Sequence, residues 1–239
     1  AEDKNLEGVE LVEFDFQKPG TFEYALEGVD RMFLVPPSLC PNSDELLIPL
    51  VEKAKQAGVQ TIVNLSAMGV HVDDNIPLRK IEIAIEKSGL NYTLLQPNWF
   101  MQNFNGFALE MIKHKRAIFL PAGDARTSFI DVRDIAAVAV EALTTANHYG
   151  KRYVLTGSRS MTYHEAAGVL SGVLGKTITY HPVSNDDMRA ALVEKGVPES
   201  SREMFVALFG FVTGGLNAPI SGDVKDALGR EPVTLEQYA

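Results

Sequence analysis

With a single cysteine, Cys40, among 239 residues, the chain can neither close an internal disulfide nor build a cysteine zinc cluster, and a reducing, cytoplasmic setting is the expectation that follows. Its five histidines, His71, His114, His148, His164 and His181, are scattered, and none stands in an H-x-x-x-H pair, so no metal site is expected. Basic residues are outnumbered 22 to 31, for a net charge of −9. The one basic run, Lys113-His-Lys-Arg116, reads as the last turn of a helix, where cations complement the dipole, rather than as a phosphate-binding surface. No stretch of 18 uncharged apolar residues is present, which argues against a membrane span. The opening Ala-Glu-Asp-Lys-Asn is not expected to act as a signal peptide. These absences argue against direct nucleic-acid contact and against a membrane; the partner expected is a small-molecule substrate.

What is present suits a globular α/β protein: 46% of residues are hydrophobic. Val9 to Phe14 alternates apolar and acidic residues like a half-covered strand, ended by Asp15-Phe16. Thr21 to Leu26 predicts a short helix closed by Gly28. Arg31 to Val35 is a continuous apolar run stopped by Pro36-Pro37, as in a buried parallel strand. Ser43 or Asn42 can cap a helix that ends at Gly58, and Thr61 to Leu65 forms the next strand, leading into Ser66-Ala-Met-Gly69. A helix from Ile76 to Lys87 closes at Gly89. Tyr92 to Leu95 then predicts a buried strand entering a Gln96-Pro97-Asn98 turn, from which a helix starts with Trp99, Phe100 and Met101 in its first turn. Strands and helices alternating with short loops imply right-handed parallel crossovers. Ligands of such sheets bind outside the carboxyl ends of the strands, so a turn followed by aromatic residues is a seat for a flat ring.

The second half reads as short strands at Ala117–Leu120 and Thr127–Ile130, a helix from Ile135 to Thr144 headed by Asp131-Val-Arg-Asp134, and a strand at Tyr153–Thr156. Thr162-x-x-Glu165 and Ser184-x-x-Asp187 open two further helices, Thr177–Tyr180 is an edge strand, Ser200 to Val212 is another apolar helix, and Thr234-x-x-Gln237 caps a last turn. The division expected is a Rossmann-like domain over residues 1–150 and a small C-terminal α/β lobe over 151–239, interleaved with the first rather than independent.

A dinucleotide fold ordinarily begins with a strand, a glycine-rich turn and a helix, because the backbone must approach the pyrophosphate. No G-x-G-x-x-G occurs here. If Val9 to Phe14 is the third strand of a doubly wound sheet, the absent first strand belongs between it and Arg31–Val35, and an empty central position would leave two unpaired edges. The expectation is therefore that the natural protein carries roughly one more β-α-β unit, about 30 to 45 residues, upstream of Ala1. The alternative is a genuine fragment.

At Arg31-Met-Phe-Leu-Val-Pro-Pro37, Lys55 to Gly69, Ser88 to Asn103 and Phe129-Ile-Asp-Val-Arg-Asp-Ile-Ala136, the chain resembles the NmrA-like family of atypical short-chain dehydrogenases. The likeness covers nearly the whole sequence in order. It implies a Rossmann domain with a small substrate lobe, and a cofactor that is NADP or NAD, with NADPH slightly favoured. Carried over by position, it puts Asp15 and Phe16 beside the adenine and Val35, Pro36 and Pro37 at the middle of the dinucleotide. It puts Ser66, Ala67 and Met68 at the nicotinamide ribose, and Pro97, Asn98, Trp99 and Phe100 at the nicotinamide. The substrate pocket implied is Met68, Asn98, Phe100, Met101 and Asn103. The Tyr-x-x-x-Lys pair of ordinary short-chain dehydrogenases is missing, and the position of a lysine found in plant reductase relatives is Leu78. Lys80 is two residues away, about 200° around a helix, and is a weak candidate catalytic group. The function implied is an NAD(P)H-dependent reductase that transfers a hydride to a quinone-like or other small electron-poor ring, with protons from water. The alternative is a non-catalytic, NAD(P)-binding, redox-sensing regulator, and either could work as a homodimer or with a regulatory protein partner.

Overall fold

The computed structural model describes residues 8–239. In chain order the elements are α1 (Phe22–Leu26), β1 (Arg31–Leu34), α2 (Ser43–Ala57), β2 (Thr61–Leu65), α3 (Pro77–Ser88), β3 (Asn91–Pro97), α4 (Leu109–Lys115), β4 (Ala117–Leu120), β5 (Arg126–Thr127) and α5 (Val132–Thr144). They continue as β6 (Lys151–Leu155), β7 (Met161–Thr162), α6 (Tyr163–Leu174), β8 (Thr179–Pro182), α7 (Asn185–Glu194), α8 (Glu199–Thr213), α9 (Asp223–Leu228) and α10 (Leu235–Tyr238).

The main sheet is parallel, in the order β1-β2-β3-β6. Its interior strands carry apolar side chains on both faces, as a sheet covered on both sides requires. On one face Leu34, Ile62 and Leu94 meet Leu47, Leu50 and Val51 of α2 and Ile81 and Ile85 of α3. On the other, Val63, Leu95 and Leu155 meet Ile135, Val138 and Ala142 of α5 and Val224 of α9. Each of the buried leucine, isoleucine and valine side chains among these stabilises the fold by about 1.5–3 kcal/mol. The C-termini of α2 and α3 are closed by Gly58 and Gly89 at φ 93° and 81°, left-handed positions that glycine occupies without strain.

A second layer has its own core. There β4 pairs with β8 in parallel, and Ile118, Leu120, Tyr163, Leu170, Tyr180 and Phe209 pack together between α6 and α8. The capping boxes at Thr162, Ser184 and Thr234 all form. The two layers exchange elements: β6, from beyond residue 150, is the fourth strand of the main sheet, and β4, from before it, pairs in the small layer.

Four expectations need correction. The run at Arg31–Val35 is not buried on both faces: β1 is an edge strand of the main sheet, and Phe33 is 40% exposed. Val9 to Phe14 is not a strand; among the described residues nothing pairs with it, and Leu11 is 73% exposed, so its alternation has no covered face to serve. No helix begins at Trp99. Phe100 instead bridges in parallel to Ile130, a single 3-10 turn covers Met101–Asn103, and the helix waits until Leu109. Aromatic side chains at helical spacing are thus held by a cross-chain bridge rather than by a helix. The predicted strand at Thr127–Ile130 is reduced to β5 plus that bridge, and α9 has no counterpart in the sequence reading.

Candidate functional site: a cleft over the ends of β2 and β3

Where β2 and β3 end, the ladder runs on for one more step: the Ser66 amide donates to the Leu95 carbonyl at 2.7 Å and the Met68 amide to the Pro97 carbonyl at 3.0 Å. This fixes Ser66-Ala-Met68 beside Pro97-Asn98 as the floor of a cleft of about 370 Å³. The end of β3 is braced from below. The Gln96 amide donates at 2.7 Å to Glu82, which is fully buried on α3 and paired with Arg79 at 3.0 Å. The opposite wall comes from the small layer: Phe205, Leu208 and Phe211, three residues apart on α8, face the cleft while Val206, Phe209 and Val212 on the same helix fill the core. Trp99, Phe100, Asn103 and Phe107 close one end. Ser38 and Leu39 close the other, where Leu39 holds φ 52°, a left-handed conformation that costs a non-glycine residue about 1–3 kcal/mol. The Ser201 hydroxyl of α8 donates to the Leu39 carbonyl at 3.4 Å, tying the wall to the loop after β1.

Floor and wall are joined at Asn98. Its amide nitrogen donates to Ser128 Oγ at 2.7 Å and to the Asn217 carbonyl at 2.8 Å. Its Oδ1 accepts from the Trp99 amide at 2.9 Å and from Asn217 Nδ2 at 2.7 Å. Ser128 Oγ then donates to the Pro219 carbonyl at 2.7 Å. Both hydrogens and both lone pairs of the Asn98 side chain are used. Asn98 lines the cleft, but its side chain locks the loop after α8 onto the sheet and has no free hydrogen-bonding capacity for a ligand.

The cleft brings together Ser66, Ala67, Met68, Pro97, Asn98, Trp99, Phe100 and Asn103 from the sequence-derived candidates. It does not include Met101. That side chain is 2% exposed in the small-layer core and borders a separate cavity of about 180 Å³ beside Gly157 and Leu235, because the Phe100–Ile130 bridge turns it inward. Asp15 and Phe16 also lie elsewhere. The Asp15 carboxylate accepts from the Gln17 amide at 2.9 Å, a hydrogen bond that, with Lys18 at 3.3 Å, holds its pKa below the usual value, and Phe16 packs edge-on against Phe14. Val35, Pro36 and Pro37 lead from β1 to Ser38 without lining the cleft themselves. Lys80 points away from it, with its ammonium 3.0 Å from Asp44 of α2.

Asp131 caps α5 by accepting from the Arg133 amide at 2.8 Å. Burial alone would raise its pKa, but hydrogen bonds from Arg133 and Gln102 hold it below the usual carboxylate value. Tyr163 is pushed far up by burial in the small-layer core and is no proton donor for the cleft. Among the described residues, none of the side chains lining the cleft is ionisable.

The NmrA-like family model matches residues 1–239. The chain belongs to the NmrA-like family. Among its relatives, the NAD(P)H azoreductase of Xenophilus azovorans is 32% identical over 243 residues, an alignment spanning all of this chain and 84% of that protein. The NADPH-dependent quinone oxidoreductase of Escherichia coli, solved with NADPH, superimposes with a TM-score of 0.81 at 27% identity, covering 97% of this chain and 82% of that one. NmrA, a negative transcriptional regulator solved with NAD, shares the fold with a TM-score of 0.74 at 16% identity, covering 96% and 79%.

For this NmrA-like chain, sequence reasoning missed the wall: Ser38, Leu39, Phe107, Phe205, Leu208, Phe211 and Asn217. A signal for part of it exists. Helix α8 carries two apolar stripes, at 205-208-211 and 206-209-212, where a helix with one buried face needs only one. Nothing in the sequence marks Asn217, whose partner lies 119 residues away.

Proposed function

We propose that the cleft holds the nicotinamide end of NADP or NAD, NADPH being slightly favoured, and that the protein is an NAD(P)H-dependent reductase of quinone-like or other small electron-poor rings. The observation that carries this reading is a cleft at the carboxyl ends of two parallel strands, walled by aromatic side chains and free of ionisable ones. A nicotinamide cofactor fits the residues present: Ser66, 6% exposed, has a buried hydroxyl with no partner, which suits a ribose or carboxamide, and Ala67, Met68 and Pro97 offer a flat apolar seat. When bound, the reduced cofactor supplies a hydride.

The chain's own contribution is positioning and exclusion of water. Trp99, Phe100, Phe205 and Phe211 line the cleft with aromatic side chains that can pack against a planar ring, and the Asn98 lock keeps wall and floor at one separation. Protonation of the reduced product falls to solvent at the open side, since among the described residues no acid lines the cleft. Steady-state oxidation of NADPH and NADH with a panel of quinones and azo compounds tests the reading, and turnover above background is the expected result. The same lack of an acid or base favours a second reading, a non-catalytic redox-sensing regulator. Retained cofactor binding with no turnover on any acceptor would select it.

A further inference from the structure

The hydrogen bonds around Asn98 settle the orientation of a second amide. The Trp99 backbone N–H can only donate and the Asn217 carbonyl can only accept, so the side of Asn98 facing Trp99 must be Oδ1 and the side facing the carbonyl must be Nδ2. Oδ1 accepts a second bond from the Asn217 side chain, so Asn217 must present its nitrogen there. Its own Oδ1 is then fixed as an acceptor on the far side of the amide. That oxygen is buried and has no partner among the described residues, and it belongs to a residue that is 6% exposed and lines the cleft. A buried carbonyl oxygen without a donor is costly, and in a ligand cleft the donor can come from the ligand.

We infer that Asn217 is a specificity-determining residue: its Oδ1 accepts a hydrogen bond from an O–H or N–H group on the aromatic ring held in the cleft, so rings carrying such a donor bind in preference to isosteric rings without one. The inference deepens the reading above and rests on the cleft taking an aromatic ring, but not on turnover. Discrimination of this kind is strong in proteins because the ring that lacks the donor leaves the acceptor buried and unpaired.

Trp99 is the single tryptophan and lines the cleft, so its fluorescence reports occupancy directly. In the presence of oxidised NADP, 4-hydroxyacetophenone and 4-fluoroacetophenone are titrated against the protein, with calorimetry as the second measurement. The hydroxyl compound is expected to bind roughly 3- to 10-fold more tightly, the range one neutral hydrogen bond supports. Asn217→Ala should bring the ratio close to unity. Ser128→Ala, which loosens the Asn98 lock without touching Asn217 Oδ1, should weaken both ligands together and keep the ratio. Equal affinities in the unmodified protein, or a ratio that survives Asn217→Ala, would overturn the inference and leave the aromatic cleft standing. Failure of both rings to bind would overturn the inference and the aromatic cleft together.

Discussion

The floor and the wall of the cleft are built by different physics. The floor is backbone: Ser66, Met68 and Asn98 continue the parallel ladder, and the Gln96 side chain beneath them is held by Glu82, itself paired with Arg79. The wall is side chain. Phe205, Leu208 and Phe211 stand half-exposed on one helix face, anchored mainly by the stripe behind them and by two reaches across the cleft, Ser201 to Leu39 and Asn217 to Asn98. A floor of this kind fixes where a ring sits. A wall of this kind can change which ring it is, at little cost to the fold.

Breaking the floor should therefore cost stability first. Glu82→Ala leaves Arg79 and Gln96 without their buried partner, and a loss of about 3 kcal/mol is expected in urea denaturation. A loss under 1 kcal/mol would mean the brace is dispensable. Gly157→Ala sets a Cβ 2.1 Å from the Phe129 carbonyl oxygen, and a penalty of about 2 to 3 kcal/mol follows unless the backbone yields. On the wall the balance reverses. Phe211→Ala, at a side chain 37% exposed, should change stability by less than about 1 kcal/mol while raising KM for an aromatic acceptor roughly 5- to 10-fold. An unchanged KM would remove α8 from the substrate side. Gly210 on the same helix has open space around it, so Gly210→Ala should raise stability by about 0.5–1 kcal/mol, seen as a higher Tm.

The smallest effect is one of pH. His148 sits buried against the main sheet with Nδ1 2.7 Å from the Tyr153 hydroxyl, and burial, helped by Lys151, holds its pKa below the ordinary value. Below about pH 6.5 the unfolded chain binds a proton that the folded protein refuses. Stability present above that pH is therefore lost on acidification. His148→Gln should flatten the fall in Tm between about pH 7 and pH 5; parallel falls in both proteins would show that other groups are responsible.

The same division decides what the sequence could disclose. The floor was legible because it follows from local signals: apolar runs broken by Pro36-Pro37 and Pro97, helices closed by Gly58 and Gly89, and a cap at Asp131. These set strand order and hence which ends face the ligand. Asn98 was expected at the cleft and lies there, but only the fold shows that its four hydrogen bonds are taken within the protein. Met101 was misplaced because helical spacing cannot foresee the bridge between Phe100 and Ile130. The wall stayed hidden because a second apolar stripe on α8 looks like core until its neighbours are known, and a lone asparagine in a loop carries no pattern at all.

The Asn98–Asn217 pair also has a consequence in time. The floor strand ends at residue 97, yet the lock on its turn closes only with a residue 119 positions later. At translation rates of roughly 5 to 20 residues per second, that separation amounts to about 6 to 24 seconds of synthesis. A nascent chain would thus display an open aromatic seat on the ribosome well before the segment that shuts it has been made, which makes this turn a place where early cofactor capture or chaperone contact would be felt most.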